Sequence, residues 1–257
     1  MSPVLLGFLA SLAAGLVTSL GALPVLFGKD ISRRTSDAML GFAAGVMLAA
    51  SFFSLIIPGL EAAKIIFAQQ WVAALVVTTG VLLGAAFVGA LNHIVPHEHF
   101  IQGREGPELD QVGRVWLFVF AITIHNLPEG LAVGVGFGDG YSVKAVTLAA
   151  GIGLQNAPEG FAVAVALLSI GFGRVAAFAI AALTGLVEPV TGLVGAYAVS
   201  LSQLLLPWAM AFAAGAMIYV ISHEIIPESH RHGSQTVATR GLMIGLAIMM
   251  LLDITFS

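Results

Sequence analysis

The 257-residue chain contains no cysteine. Disulfides, thiolate metal sites and cysteine nucleophiles are therefore excluded. Charge is scarce as well: 9% of residues are Asp, Glu, Lys or Arg, against about a quarter in an ordinary soluble domain. With 58% hydrophobic residues and a mean hydropathy of +1.00, that scarcity means most of the surface does not face water. The net charge of −4 offers no basic footprint, so no nucleic-acid partner is expected. No basic stretch precedes the first apolar run, which argues against a cleaved signal peptide. A P-loop and a nucleophile triad are also missing, which argues against ATP-driven pumping and against hydrolase chemistry.

What the chain does have is apolar length and 30 glycines. A membrane helix needs about 20 mostly apolar residues. Eight runs qualify, at 3–27, 37–60, 70–93, 114–138, 143–170, 174–200, 206–228 and 238–256. Their length and lack of period-2 alternation predict helices rather than strands. The expected fold class is an all-α integral membrane protein, one transmembrane domain over 1–257. Lys and Arg set its orientation. With the N-terminus outside, the inner loops hold eight of them (Lys29, Arg33, Arg34, Arg104, Arg114, Arg174, Arg231 and Arg240) and the outer loops two, Lys64 and Lys144. This bias predicts both termini on the extracytoplasmic side.

Two internal repeats organise the chain. Residues 125–133 read His-Asn-Leu-Pro-Glu-Gly-Leu-Ala-Val, and residues 155–163 read Gln-Asn-Ala-Pro-Glu-Gly-Phe-Ala-Val, thirty positions later. A weaker echo pairs Gly41–Met47 with Ala211–Met217 at an offset of 170, each followed by Ile-Ile-Pro, at Pro58 and Pro227. Segments two and seven would run in opposite directions, as would segments four and five. That is the pattern of an inverted-topology repeat, predicting three helices, a central pair, then three helices.

The first repeat carries the chemistry. His125 and Glu129 are four apart and share a helix face, with Asn126 bordering it. Pro128 lacks an N–H, so the carbonyl of Ile124 loses its helical partner. Gln155, Asn156, Glu159 and Pro158 repeat the arrangement one helix later, freeing the carbonyl of Leu154. An acidic residue at mid-helix costs about 2.5–3.5 kcal/mol on insertion scales. Two carboxylates face to face must share protons or be neutralised by a cation, and a divalent ion also satisfies their lone pairs. Protonated, hydrogen-bonded Glu residues at a kinked helix interface are the plain alternative.

Glu188, before Pro189, is a third intramembrane carboxylate. Met47 offers a thioether, although a Met in an apolar run is ordinarily core. His223-Glu224 opens an HExxH-like run, but Pro227 stands where the second His is required, which disfavours a membrane metalloprotease. His223 and Glu224 read as ligands at one end of a permeation path or as an ordinary helix terminus. His93, His97 and His99 form a weak metal-collecting cluster or a solvated loop, with His230 and His232 beyond segment seven. Asp37 and Asp253 read as helix caps or interface residues. Carboxylates and amides alone suit Mg²⁺, Ca²⁺ or Mn²⁺. Histidine and thioether move the preference to Zn²⁺, Fe²⁺, Co²⁺, Mn²⁺ or Cd²⁺, and the missing cysteine argues against Cu⁺.

At the paired motif the chain resembles the ZIP (Zrt-, Irt-like) divalent metal transporter family, in its bacterial GufA-like branch. The match extends over nearly the whole chain, through the eight segments, the motifs at 125–130 and 155–160, and Glu188-Pro189. The resemblance implies a 3+2+3 inverted-repeat fold in a bacterial inner membrane, a homodimer, and metal uptake toward the cytoplasm by elevator-type movement. It also implies a two-metal centre, with His125, Glu129, Gln155 and Glu159 at one site and Asn126, Glu129, Asn156, Glu188 and Met47 at its neighbour. Zinc is then the transported substrate, with no organic cofactor. Some close relatives carry Asp at the position of Asn156, and His is common at that of Gln155; two neutral amides here imply a weak or empty second site at rest. A channel of the same fold, a membrane metalloenzyme and a metal sensor remain the alternatives.

Overall fold

A computed structural model describes residues 1–27, 33–94, 98–99, 103–104, 123, 126–169, 171–230 and 233–256. The described chain is helical apart from one two-residue antiparallel ladder, β1 (Glu98–His99) with β2 (Gly103–Arg104). Helix α1 (Pro3–Ala22) starts at Ser2, whose side chain accepts the Leu5 N–H, with Pro3 at its first position, where a missing N–H costs nothing. The chain then runs through α2 (Arg33–Ala49), α3 (Ile57–Ile66), α4 (Gln70–Ile94), α5 (126–136), α6 (Val143–Ser169), α7 (Arg174–Gly185), α8 (Glu188–Leu201), α9 (Leu206–Val220), α10 (Ile226–His230) and α11 (Gln235–Phe256).

Two joints are wider than α-helix. Between α2 and α3 the residues Ala50–Ile56 form a π-helical segment, and between α9 and α10 the residues Ile221–Ile225 form another. Both close with a five-residue hydrogen bond, Ile57 N–H to the Phe52 carbonyl and Ile226 N–H to the Ile221 carbonyl. Pro58 and Pro227 follow directly. Proline cannot supply the next ladder donor, and a widened turn is one way to absorb it. The second expected segment, 37–60, thus becomes a three-part element from Arg33 to Ile66. The sixth, 174–200, is broken at Leu186–Val187.

Six helical spans among the described residues are long and apolar enough to cross a bilayer: Pro3–Phe27, Arg34–Ile66, Gln70–Leu91, Arg174–Leu201, Gln203–His230 and Gln235–Phe256. Helix α6 is 27 residues long but is not among them. It carries Gln155, Asn156 and Glu159, which dilute its hydropathy. Most of the fourth expected segment, 114–138, lies outside the described residues; from 126 to 136 it is helix.

Glycine decides which helices touch backbone to backbone. A β-carbon at Gly160 would collide with the Thr18 carbonyl, at Gly130 with the Glu188 carbonyl, at Gly134 with that of Gly192 and at Gly15 with that of Gly185. These contacts knit α1, α5, α6, α7 and α8 together. A second set knits α2 to α11, through Gly45 on the Leu242 carbonyl and Gly245 on that of Phe42, and α4 to α9, through Gly215 on the Val81 carbonyl and Gly84 on that of Phe212. Among the described residues, no glycine brings the backbone of one group against the backbone of the other. Where the groups meet at a glycine, the Met249 thioether of α11 lies over Gly151 of α6. The shared boundary is otherwise an apolar cluster that includes Met47, Ala132, Val133, Leu148, Ile152 and Met217.

Candidate functional site

Helices α5 and α6 are antiparallel. Glu129 pairs with Gln155, and one to two turns further along α5 Gly136 lies against Leu148 and Ala145 of α6. Gln155 Nε2 donates to Glu129 Oε1 at 2.6 Å. On the next residue, Asn156 Nδ2 donates to Glu188 Oε1 at 2.8 Å and to the Ala14 carbonyl at 2.9 Å. Glu129, Gln155, Asn156 and Glu188 are each 0% exposed, and Asn126 and Glu159 are buried beside them. Both Glu129 and Glu159 lie within electrostatic reach of Glu188.

Local sequence explains this convergence. Pro158 sits inside α6 and withholds an N–H from the turn that carries Gln155 and Asn156. Gly130 has no side chain, so the backbone of α8 closes onto α5 at Glu188 and brings this carboxylate beside the one at position 129. The break at Leu186–Val187 makes Glu188 the first residue of α8, followed by Pro189.

The unmatched atoms define what the cluster can hold. Gln155 Oε1, Asn156 Oδ1 and Glu188 Oε2 are buried and have no hydrogen-bond partner among the described residues. Leaving one such atom buried and unsatisfied costs about 1–3 kcal/mol. All three are acceptors, so the complement they lack is a hydrogen-bond donor or a cation. Asn126 Nδ2 also has no partner among the described residues; a flip of that amide presents its oxygen instead. Among the described residues no three His, Asp or Glu side chains form a group that could hold an ion by themselves. Amides are interleaved with the carboxylates, as an oxygen-donor site permits.

Of the residues singled out in the sequence, the structure brings Asn126, Glu129, Gln155, Asn156, Glu159 and Glu188 into one buried polar cluster. His125 and the Ile124 carbonyl lie outside the described residues. Met47 is fully buried on α2, in the apolar cluster with Ala132 and Val133 of α5 and Ile152 of α6. His223 and Glu224 occupy the π-helical joint between α9 and α10, half-buried, with the His223 ring 5.2 Å from that of Tyr219. His97 and His232 lie outside the described residues, while His99 belongs to β1.

Two features were missed in the sequence. The Ala14 carbonyl of α1 joins the cluster through Asn156, and a backbone acceptor leaves no residue signature. Asp253 takes the interface role of its two readings, through a partner the sequence did not name: it is 3% exposed and accepts a hydrogen bond from Ser54 Oγ at 2.7 Å, linking α11 to the first π-helical joint. Asp37 is likewise buried, on α2. An acid on a glycine-lined helix face was the available signal for both.

Residues 97–253 match the family model described as ZIP Zinc transporter. The chain belongs to the ZIP zinc transporter family. It is 47% identical to the zinc transporter GufA of Myxococcus xanthus, over 97% of this chain and 98% of that one. It is 51% identical to the zinc transporter ZIPB of Bordetella bronchiseptica, over 96% of this chain and 79% of the relative. The likeness extends to human zinc transporter ZIP11, at 36% identity over 93% of each chain. The region matched by the ZIP model contains the whole of α5, α6 and α8, and so every side chain of the buried polar cluster. As a ZIP chain this is a multi-pass membrane transporter and not an enzyme.

Proposed function

We propose that this ZIP chain carries divalent transition-metal ions, zinc first among them, across a bacterial inner membrane into the cytoplasm, through the buried cluster between α5, α6 and α8. The observation that carries this reading is the set of three buried acceptor oxygens without partners beside the carboxylates of Glu129 and Glu188. His125, Glu129, Gln155 and Glu159 are assigned to one ion position. Asn126, Glu129, Asn156, Glu188 and Met47 are assigned to the adjoining one, and His223 and Glu224 to the cytoplasmic end of the path. Ligand carboxylates must be deprotonated to bind, so protons compete with the ion for the site and uptake is pH-sensitive. The oxygen, imidazole and thioether donors fit Zn²⁺, with Fe²⁺, Mn²⁺, Co²⁺ and Cd²⁺ as further cargo. The homodimer rests on the family resemblance alone.

An eight-helix, 3+2+3 inverted repeat with both termini outside organises the site on this reading. Its support is a correspondence of contacts. Adding 170 to a position in the first half, or 161 within α4, gives its counterpart in the second. Thus Gly84 on the Phe212 carbonyl mirrors Gly245 on that of Phe42, and Gly215 on Val81 mirrors Gly45 on Leu242. In the centre, Gly130 on the Glu188 carbonyl mirrors Gly160 on that of Thr18, with 30 separating the glycines and 170 their partners. The glycine-knit set of α1, α5, α6, α7 and α8 supports an elevator-type mechanism, because its backbone interlocking stops at the boundary where it would slide past the α2–α11 and α4–α9 pairs.

The test is uptake into proteoliposomes across Zn²⁺, Cd²⁺, Fe²⁺, Co²⁺ and Mn²⁺. A carrier gives saturable, steeply temperature-dependent flux with Zn²⁺ taken up best. Flux that rises without saturation and changes little with temperature would assign the same site to a channel, and binding without flux would make the protein a sensor.

A further inference from the structure

Met217 is a fully buried thioether to which the transport site gives no role. It lies on α9 at the register of Met47 on α2, 170 positions on. Each follows by two residues a glycine pressed onto the carbonyl of a neighbouring helix, Gly45 on Leu242 and Gly215 on Val81. Each precedes a π-helical joint within four residues. Both thioethers are therefore held on glycine-interlocked helix pairs, and both reach the apolar cluster that borders α5 and α6.

The relation that exchanges α5 with α6 also exchanges Met47 with Met217. In a carrier built of inverted repeats, the two halves trade conformations between the inward-facing and outward-facing states. What Met47 does in one state is thereby done by Met217 in the other. We propose that Met217 is the thioether neighbour of the transported ion in the outward-facing state, the counterpart of Met47 in the inward-facing one. This rests on the transport site proposed above.

The assignment of states follows from where the cluster lies. Ala132 and Val133 follow Glu129 on α5, and Leu148 and Ile152 precede Gln155 on α6. With both termini outside, these residues cover the cluster on its extracytoplasmic side, so the described conformation is closed outward. A thioether favours soft ions and contributes little to hard ones. Replacement by Leu conserves volume, a change that cores tolerate well.

The experiment measures KM for Cd²⁺ and Mn²⁺ from each face of oriented proteoliposomes for wild type, Met47→Leu, Met217→Leu and Glu129→Ala. Met217→Leu is expected to raise KM for Cd²⁺ roughly fivefold from the extracytoplasmic face only, with Mn²⁺ within about twofold of wild type. Met47→Leu is expected to do so from the cytoplasmic face. If Met217→Leu transports Mn²⁺ normally and leaves external KM for Cd²⁺ unchanged, the inference is overturned. Should the Leu variant lose Mn²⁺ transport, Met217→Ile supplies the same comparison: a raised external KM for Cd²⁺ supports the role of Met217, and an unchanged one removes it. Undiminished transport by Glu129→Ala would overturn the site itself. A dead Glu129→Ala beside a silent Met217→Leu removes only the role given to Met217.

Discussion

Two amides set the character of the buried cluster. Gln155 donates to Glu129 and Asn156 donates to Glu188, so each of these carboxylates has a neutral partner in the absence of an ion. Asn156→Asp exchanges the donor for a third acceptor and places a like charge against Glu188. The expected outcome is a protein less stable without metal, whose Zn²⁺ stoichiometry by calorimetry rises from one to two; a stoichiometry of two in the wild type would contradict the weak second site. The Asn126–Glu129 spacing made one face of this cluster legible, because helical periodicity is local. The link from Asn156 to Glu188 and Ala14 was not legible as a contact, since it depends on three helices crossing at one depth. The partner of Asp253 was illegible for the same reason: Ser54 is 199 residues away.

At the scale of elements, helices were readable from apolar length, but their interruptions were not. The break at Leu186–Val187 and the two π-helical joints arise where proline meets a packed neighbour. Their trace in sequence is faint: Met47 and Met217 are 170 apart, whereas Pro58 and Pro227 are 169 apart, so the stretch from Met to Pro is one residue longer in the first half. Glycine shows how composition becomes packing. At Gly160 an added β-carbon meets the backbone carbonyl of Thr18, which cannot yield without moving α1. At Gly151 it meets only the thioether end of Met249, which can swing aside. Gly160→Ala is therefore expected to destabilise by about 1–3 kcal/mol, and Gly151→Ala by less than ~1 kcal/mol. Thermal unfolding in detergent compares them, and equal shifts would refute the claim that Gly160 interlocks backbones while Gly151 lies on a sliding boundary.

For the molecule as a whole, the scarcity of charge and the eight apolar runs already required a membrane fold, and the paired motif placed its polar centre. The division of the helices into one glycine-knit set of five and two glycine-knit pairs was beyond the sequence, because 30 glycines in an apolar chain do not reveal which helices they join. That division gives the transport reading its mechanical content. The five-helix set carries the carboxylates and amides of α5, α6 and α8, the α2–α11 and α4–α9 pairs carry Met47 and Met217, and glycines bring no backbone of the set against the backbone of either pair among the described residues. Zn²⁺ uptake into proteoliposomes by the wild type beside Glu129→Ala tests the central claim most directly. The buried cluster predicts saturable uptake in the wild type and a loss of at least about tenfold in the variant, with the variant still folded. Equal uptake by the two proteins, with the same dependence on pH, would contradict it.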